Sequence, residues 1–331
     1  MALRLTVGCS IYEDGLRFGA GFVETERMRR VVPPMKLAVV LNETAGTLLG
    51  RPVAGTVTEL RQLFAAAGVE ASVRAAPGAA VETEIRAAIA SDAGAVIIGG
   101  GDGTVATAAG MLLGTGKALG LLPLGTMNLL ARDLGMPSDL RAAVAVLARG
   151  ERRFIDVGEV NGHVFLNNSV IGLYPTLVRA RERQRGVPGW RKWPAMASAV
   201  IKALRYYNLI EVGADLGQGP RLIRTPALAV VNNAYRDPAA TFLNRPSLDD
   251  GRLAVYVAKH QTRLGLVRLM AGLVLGGWQS NAELDSLIMT DLTVTSHARR
   301  KLKVAIDGEF TRLAPPLIYR IRPKALPVLT P

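Results

Sequence analysis

The chain has 331 residues, of which 49% are hydrophobic and 20% charged, and this composition provides enough apolar side chains for two globular domains. It carries 40 lysines and arginines against 27 acidic residues, and the net charge of +13 favours partners that bear phosphate groups. The single cysteine, Cys9, excludes a disulfide framework and a thiolate zinc site, and it favours a reducing, cytoplasmic location. Any bound metal is therefore expected to have oxygen ligands.

Residues 1–34 are expected to be a disordered leader or an artefactual extension. They lack the basic-then-apolar order of a secretory signal, and their acidic residues argue against a transit peptide. Met35 leads directly into the first predicted strand, so translation is expected to start naturally at Met28 or Met35. The best apolar stretch, residues 264–277, is shorter than the roughly 20 residues of a spanning helix, so an integral membrane protein is not expected.

Residues 36–149 alternate short apolar runs with helical patterns. The predicted strands lie at 37–41, 70–74, 95–98 and 118–122, and the predicted helices at 57–67, 81–90 and 105–113. Strands that alternate with helices of this length imply right-handed crossovers and a parallel sheet covered on both faces. We therefore predict an α/β domain over residues 35–152.

After Gly150 the pattern changes to short strands and turn signals. Asn161-Gly162 lies between two strand-like segments and is a favoured two-residue hairpin connection, and Asp250-Gly251 and Asp307-Gly308 are similar signals. This half is predicted to be an antiparallel β-sandwich over residues 153–331, whose last residues are expected to return to the first domain.

The strongest chemical signal is Gly100-Gly101-Asp102-Gly103-Thr104, which lies between a predicted strand and a predicted helix. Glycines let the backbone approach a phosphate, and the helix N-terminus supplies N–H donors and positive potential. Asp102 would repel a phosphate by itself, so its presence indicates Mg²⁺ or a substrate hydroxyl nearby. The alternative is a tight turn in which Asp102 only caps the helix.

Two commoner phosphate motifs fit poorly. A dinucleotide-binding fingerprint fits Gly101, Gly103 and Ala106, but the next strand ends in residues 123–126 rather than in an acidic residue for the ribose. Gly116-Lys117 lacks both the upstream glycine and the following Ser or Thr of a P-loop.

Two further loops are expected at the same carboxyl edge of the sheet. Pro123-Leu124-Gly125-Thr126-Met127-Asn128 closes the fourth strand, and Asn42-Glu43-Thr44-Ala45-Gly46 follows the first. Ligands in open α/β sheets bind at this edge, so the three loops are predicted to converge on one crevice.

In this order the motifs resemble the diacylglycerol kinase and sphingosine kinase family, especially its soluble bacterial lipid kinases. The resemblance covers the chain from about residue 35 to the end. It rests on the loops at Gly100 and Gly125, then on Ala131-Arg132, Ile155-Asp156-Val157, Phe165-Leu166-Asn167-Asn168-Ser169, Gly172, Leu248-Asp249-Asp250-Gly251, Asp307-Gly308-Glu309 and Pro323-Lys324-Ala325-Leu326. It implies a three-layer, NAD kinase-like α/β domain followed by a β-sandwich.

The resemblance also implies roles for individual residues. The ATP site is implied to contain Asn42, Thr44, Gly100, Gly101, Asp102, Gly103, Thr104, Gly125, Thr126 and Asn128. Asp102 would lie at the reacting phosphoryl group, and Glu309, with Asp307 beside it, would accept the proton of the lipid hydroxyl. A structural magnesium ion maps to Ser247, Asp250 and Arg252, the outer two through backbone carbonyls.

The chain departs from the family pattern at two places. The family usually has Asn-Pro and then Ser-Gly in the first loop, where this chain has Asn42-Glu43 and Ala45-Gly46. Arg74-Ala75-Ala76 stands where the family usually offers a nucleotide-contacting threonine. These departures concern the first loop and the adenine side of the site. They leave residues 100–104, which we call the phosphate loop, unchanged.

A basic segment at residues 179–192 carries one acidic residue, Glu182, and lies beside Trp190 and Trp193. Cations and indoles in one segment suit an anionic membrane surface, although a solvated basic face with core tryptophans is the alternative. Nucleic-acid binding is not favoured, because the chain has no zinc-finger spacing and no aromatic RNA-recognition motif.

The sequence therefore predicts a cytoplasmic, peripherally membrane-associated lipid kinase that uses ATP and Mg²⁺. The expected reaction converts diacylglycerol to phosphatidic acid at an anionic membrane surface. An NAD kinase and a sphingoid-base kinase are the enzyme alternatives, and a catalytically silent nucleotide-binding protein that docks on membranes is the alternative from another class. A homodimer is left open.

Overall fold

The computed structural model describes residues 35–46, 48, 52–172, 209–216, 219–235, 245–259, 262, 284–296 and 300–331. The predicted leader at residues 1–34 and the basic segment at residues 179–192 lie outside the described residues. Pro34–Pro331 form one compact unit, so the predicted boundary at residue 152 stays a prediction. Within the described part of the chain, no helix is long and apolar enough to cross a membrane.

The first half is an α/β layer structure. Its strands are β1 (Leu37–Asn42), β2 (Ala71–Ala76), β3 (Ala95–Gly99) and β4 (Ala118–Leu122), and its helices are α1 (Val53–Ala66), α2 (Val81–Ala90), α3 (Asp102–Leu112), α4 (Leu129–Asp133) and α5 (Leu140–Arg149). The strands are parallel in the order β2-β1-β3-β4. Strands β3 and β4 are buried along their whole length because helices pack on the sheet, which explains their continuous apolar sequence.

Two helices begin earlier than their periodicity predicts. Helix α1 begins at Val53, directly after Pro52, whose ring presets φ and whose missing N–H costs nothing at a helix start. Helix α3 begins at Asp102 rather than at Val105, because Gly101 is extended and acts as the N-cap. Three residues of the predicted phosphate loop, 102–104, therefore form the first turn of α3.

The described residues of the second half form twelve strands. They are β5 (Arg152–Val160), β6 (His163–Phe165), β7 (Asn168–Gly172), β8 (Ile210–Asp215), β9 (Pro220–Thr225), β10 (Ala227–Asn232), β11 (Leu253–Ala258), β12 (Leu284–Met289), β13 (Asp291–Thr295), β14 (Leu302–Ile306), β15 (Glu309–Leu313) and β16 (Leu317–Leu329). An antiparallel sheet in the order β12-β11-β10-β7-β14-β15 packs on the antiparallel part of the first sheet. The predicted fold class, an α/β domain with a β-sandwich, is confirmed.

Strand β16 joins the two halves. It pairs with β13 and β5 in the sandwich, and Val328 near its end lies beside Leu119 of β4. The result is one continuous ten-stranded sheet that runs from the parallel strands into the sandwich. An irregularity between Arg322 and Leu326, where Lys324 has a φ of 48°, bends the strand where it passes from one half to the other.

Two of the three predicted hairpin turns form. Asn161-Gly162 joins β5 to β6 and Asp307-Gly308 joins β14 to β15, and all four residues have positive φ, as the tightest two-residue turns require. The prediction for Asp250-Gly251 was wrong, because these residues precede β11 in a longer loop. The backbone N–H of Gly251 donates to the buried carboxylate of Asp156, and this contact determines the path of the loop.

Candidate active site

The loop after β1 contacts the phosphate loop through its first side chain. Asn42 donates from Nδ2 to Oγ1 of Thr104 over 2.9 Å, and its Oδ1 accepts hydrogen bonds from the backbone N–H and the hydroxyl of Thr44 at 3.0 and 2.7 Å. A Cβ added at Gly46 would lie 2.6 Å from Oγ1 of Thr126. The loops that follow β1, β3 and β4 therefore meet at one edge of the sheet.

The loop after β4 is shaped by Asn128, which has a φ of 51°. Its Oδ1 accepts from the N–H of Gly125 at 2.8 Å, and its Nδ2 donates to the carbonyls of Pro123 and Gly125 at 3.0 and 2.9 Å. Asparagine tolerates the left-handed region because its short amide makes such local bonds. Since this amide is engaged in the turn, Asn128 shapes the loop after β4.

The glycines of the phosphate loop differ in what their neighbours require. A Cβ added at Gly100 would lie 2.9 Å from Cβ of Thr104, and one added at Gly125 would lie 2.6 Å from Cα of Gly101, so packing demands both glycines. Gly101 has ordinary dihedrals, φ −82° and ψ 173°, and a Cβ there would meet nothing within 4 Å. Glycine suits this N-cap position, and without a side chain it leaves the backbone open to the close approach of a ligand.

Asp102 links the two helices that follow the phosphate loop and the β4 loop. The N–H of Leu129, the first residue of α4, donates to Oδ1 of Asp102 over 2.7 Å. Asp102 is itself the first residue of α3, and Gly101 occupies the N-cap position. Asp102 therefore does not occupy the N-cap position that the helix-cap alternative gives it, and its carboxylate lies where the two loops meet.

Glu309 reaches the phosphate loop from the β-sandwich. It is the first residue of β15 and is exposed, and a Cβ added at Gly103 would lie 2.3 Å from its Oε1. Gly103 lies in the first turn of α3, so the carboxylate faces the helix N-terminus at which a phosphate is predicted to bind. Two of the predicted catalytic residues, Asp102 and Glu309, are thus brought to the same helix end.

Asp307, the third predicted catalytic residue, has a different environment. Its Oδ2 accepts from the N–H of Leu166 at 2.7 Å, and its Oδ1 accepts from the N–H groups of Asn167 and Asn168 at 2.8 and 3.0 Å. Burial raises the pKa of the Asp307 carboxyl, and these donors together with the charge of Arg245 oppose that rise. The carboxylate therefore holds the β14–β15 turn against residues 166–168.

Arg245 is the residue of this region that sequence reasoning missed. The residue is 3% exposed, and its side chain pairs with Asp133, the last residue of α4, at 2.7 Å from Nη2 and 2.8 Å from Nε. Nη1 donates to the carbonyls of Leu166 and Asn232, and Nη2 donates to Oδ1 of Asn167 over 3.0 Å. No motif marks this arginine in the sequence, because only its burial distinguishes it from a surface arginine.

Asp156, at the centre of one motif that carries the resemblance, is fully buried. Its Oδ2 accepts from the N–H of Gly251 at 2.6 Å and from Nδ2 of Asn233 at 3.0 Å, and its Oδ1 accepts from the N–H of Lys324 at 2.7 Å. The carboxylate thereby ties β5, the residue that follows β10, the 247–252 loop and the bend of β16 together. Its role in the structure is to position these segments.

The predicted magnesium residues lie in the 247–252 loop. The hydroxyl of Ser247 donates to Oδ1 of Asp249 over 2.9 Å, the carbonyl of Arg252 accepts from the N–H of Asn233 at 3.0 Å, and Asp250 is exposed. The described residues contain no cluster of three or more His, Cys, Asp or Glu side chains. A cation here would be held by the Asp250 carboxylate and backbone carbonyls, which are suitable oxygen ligands for magnesium.

Comparison with known proteins relates both halves of the chain to the family that the sequence motifs resemble. Residues 36–160 match the family model described as the diacylglycerol kinase catalytic domain, and residues 180–330 match the YegS C-terminal NAD kinase beta sandwich-like domain. A diacylglycerol kinase from Mycobacterium tuberculosis is 30% identical over 257 residues, which cover 75% of this chain and 80% of that protein. This chain belongs to the diacylglycerol kinase family.

One further relative and one solved structure are also similar to this chain. A Synechocystis protein described as uncharacterized is 26% identical over 247 residues, or 71% of this chain and 54% of that protein, so this chain spans about half of its length. The crystal structure of a diacylglycerol kinase from Bacillus anthracis str. Sterne matches with a TM-score of 0.64 at 18% identity, over 90% of this chain and 97% of that chain. This second likeness shows the shared fold.

Family membership confirms the predicted enzyme class, an ATP-dependent phosphotransferase of the lipid kinase type. It favours this class over the alternative of a catalytically silent membrane-docking protein. The roles of the individual site residues stay predictions.

Proposed function

We propose that this protein transfers the γ-phosphoryl group of ATP to the hydroxyl group of diacylglycerol and thereby forms phosphatidic acid. The observation that carries the proposal is the approach of Glu309 to Gly103. A carboxylate opposite a phosphate-binding helix end can accept the proton of a hydroxyl as its oxygen attacks phosphorus. The bond between the β-phosphate and γ-phosphorus breaks in the same exchange, and ADP leaves.

The ATP phosphates are proposed to lie over Gly101, where the backbone is open to a ligand. The N–H groups at the start of α3 donate to the phosphate oxygens, and the helix dipole favours their negative charge. The hydroxyl of Thr104 is held by Asn42, and that of Thr126 faces Gly46, so both side chains line the same loops. Magnesium, bound with ATP near Asp102, would neutralise charge on the transferring group.

Asp307 is proposed to act on the reaction through Glu309, which follows it by two residues. Three backbone N–H groups bind the Asp307 carboxylate and anchor the tight turn that begins with it to residues 166–168. Gly308 completes the turn with a φ of 90°, and Glu309 begins β15 directly afterwards. We therefore propose that Glu309 accepts the proton and that Asp307 orients Glu309.

Diacylglycerol is proposed as the acceptor because the Mycobacterium tuberculosis relative carries that name and covers both halves of this chain. A sphingoid base is the alternative lipid acceptor, and NAD is the alternative outside the lipids.

The protein is proposed to work at an anionic membrane surface. Lys303 and Arg312 lie directly opposite each other on β14 and β15, and Phe310, two residues before Arg312, is 42% exposed. These side chains share one face of the strands, while Glu309 lies on the other face. Cations near an anionic bilayer contribute about 1 kcal/mol each, and an aromatic ring suits the interface.

The deciding experiment incubates the purified protein with labelled ATP, Mg²⁺ and, in separate reactions, diacylglycerol, sphingosine, phosphatidylglycerol and NAD. Label is expected in phosphatidic acid. Label only in phosphorylated NAD or in a sphingoid-base phosphate would select the corresponding alternative, and no transfer to any lipid would defeat the proposal.

The membrane proposal is tested by sedimentation with vesicles of phosphatidylcholine with and without phosphatidylglycerol. The double variant Lys303→Gln with Arg312→Gln is expected to sediment less with the anionic vesicles. Arg141→Gln with Arg149→Gln, on the exposed side of α5, removes the same charge and serves as the control. Equal sedimentation of all three proteins would reject this surface.

A further inference from the structure

A closed series of contacts begins and ends at the phosphate loop. Asp102 holds the first residue of α4, and Asp133 at the end of α4 is paired with Arg245. Arg245 binds the segment 166–167, whose backbone N–H groups bind Asp307. Two residues later, Glu309 returns to Gly103, beside Asp102. We call this series the Arg245 ring.

The ring crosses between the two halves of the molecule at two places. One crossing is the contact of Glu309 with α3, where an exposed carboxylate meets a helix end. The other is the ion pair of Arg245 with Asp133, which is buried on both sides, with side-chain exposures of 1% and 8%. The buried ion pair is therefore the more rigid of the two contacts, and the exposed carboxylate of Glu309 can adjust its position to it.

Arginine is suited to this crossing by its shape and its charge. The planar guanidinium directs its N–H groups in a fixed fork, and here it binds one carboxylate, two carbonyls and one amide oxygen at once. A buried charge that loses a partner is costly, so the arrangement is held as a unit. The position of α4 is thereby coupled to that of residues 166–167.

We propose that Arg245 is a positioning residue that sets where Glu309 stands relative to the phosphate loop. It contacts neither the proposed ATP site nor the proposed base, and it acts through Asp133 on one side and through Leu166, Asn167 and Asp307 on the other. This inference rests on the proposed function, because it assigns Glu309 as the proton acceptor.

The proposal predicts a particular split in the kinetics. The ATP site is built from loops of the α/β half, so nucleotide affinity is expected to survive a change in Arg245. The base comes from the other half, so the transfer step is expected to suffer. A misplacement of about 1 Å at a reacting group costs about 100-fold in rate.

The test compares Arg245→Met and Asp133→Asn with wild type by kcat per folded molecule, nucleotide Kd and thermal unfolding. Both variants are expected to lose about 100-fold in kcat while nucleotide Kd changes less than threefold. Arg322→Met, which breaks an exposed pair with Glu159, and Val212→Ala, which truncates the sandwich core, are the controls. Both controls are expected to keep kcat per folded molecule, although Val212→Ala lowers the unfolding temperature.

Two results would overturn the proposal. One is a kcat within threefold of wild type in both ring variants, and the other is a fall of kcat and nucleotide affinity together. Should Arg245→Met fail to fold, Asn167→Ala removes one bond of the fork and leaves the ion pair intact. About a tenfold loss in kcat with unchanged nucleotide Kd is then expected, and an unchanged kcat would overturn the proposal.

A second readout does not require phosphoryl transfer. Binding of a non-hydrolysable ATP analogue is expected to slow hydrogen exchange at residues 166–168 and 307–309 in wild type, and only around residues 99–104 in Arg245→Met. If wild type transfers no phosphate to any lipid, the proposed function fails while this measurement still tests the ring. The same exchange pattern in both proteins would show that Arg245 does not couple the two halves.

Discussion

Glu309 and Gly103 touch where the β-sandwich meets the α/β half, and the absence of a side chain at Gly103 makes the contact feasible. A Cβ at Gly103 would lie 2.3 Å from Oε1 of Glu309, closer than real Cβ atoms approach. The glycine thus admits the carboxylate to the first turn of α3. This pair brings together the helix end at which we propose that a phosphate binds and the residue, from a distant part of the chain, that we propose as the proton acceptor.

Replacement of Gly103 by alanine is expected to slow phosphoryl transfer at least tenfold and to leave the fold intact. The added methyl group displaces the exposed end of Glu309, and a misplacement of about 1 Å costs about 100-fold. Alanine in a helix is favoured over glycine by about 1 kcal/mol, which offsets the displacement in the free energy of unfolding. Transfer kinetics and urea unfolding check both expectations, and wild-type kinetics would contradict the first.

Gly101→Ala is expected to act on the binding of ATP, whereas Gly103→Ala acts on the transfer step. Its Cβ would meet no protein atom within 4 Å, so stability should match wild type within about 0.5 kcal/mol. The methyl group would occupy the space proposed for a phosphate, so the affinity for ATP should fall at least tenfold. Calorimetric titration with an ATP analogue measures this. An unchanged affinity would show that no phosphate approaches Gly101.

Glu309→Gln is expected to lower the rate of transfer by about 10²–10⁴-fold, the usual contribution of general-base catalysis. Glutamine has nearly the same size as glutamate, so the fold and the binding of nucleotide should change little. Single-turnover kinetics with diacylglycerol give the rate of the transfer step itself. A variant as active as wild type would remove Glu309 from the proposed mechanism.

Asp156→Asn is expected to destabilise the protein by about 2–3 kcal/mol, because an amide cannot accept from all the donors that surround the buried carboxylate. Those donors are the N–H groups of Gly251 and Lys324 and the amide of Asn233. Asp139→Asn is the matched control, since asparagine and aspartate cap helices about equally well and Asp139 caps α5. Denaturant unfolding of both variants decides the comparison, and equal stabilities would contradict it.

Removal of magnesium is expected to lower the unfolding temperature in the absence of ATP, because a cation at the 247–252 loop would stabilise only the folded state. At a concentration of 100 times Kd the stabilisation is about 2.7 kcal/mol. Asp250→Ala should abolish the difference between magnesium and chelator. Asp92→Ala, which removes an exposed carboxylate paired with Lys36, should retain it. No magnesium effect on wild type would exclude a cation at this loop.

Much of the fold is predictable because its signals are local. The apolar runs at β3 and β4 indicate buried parallel strands, and Asn161-Gly162 and Asp307-Gly308 form hairpins because both residues of each pair adopt positive φ. The start of α3 is less predictable. Its first turn carries the glycines and Asp102 of the phosphate loop, which have no helical hydrophobic pattern, and the extended backbone of Gly101 decides where the helix begins.

The functional site is predictable only in part. The loops after β1, β3 and β4 must meet, since parallel strands end at one edge of their sheet. Asp307 and Glu309 are two acidic residues at one turn. The sequence alone does not show that their side chains have different environments. The three N–H groups of residues 166–168 bind one of them and leave the other facing α3.

By itself the sequence determined the layer order, the phosphate loop and the turn that carries the two carboxylates, because periodicity, glycine geometry and turn chemistry act over a few residues. Only the tertiary structure decided that Glu309 meets Gly103, that Asp250-Gly251 follows Asp156 rather than forming a hairpin, and that Arg245 is buried between the halves. These contacts join segments far apart in the chain. Their partners are selected by how the two sheets and α4 pack, which no local pattern specifies.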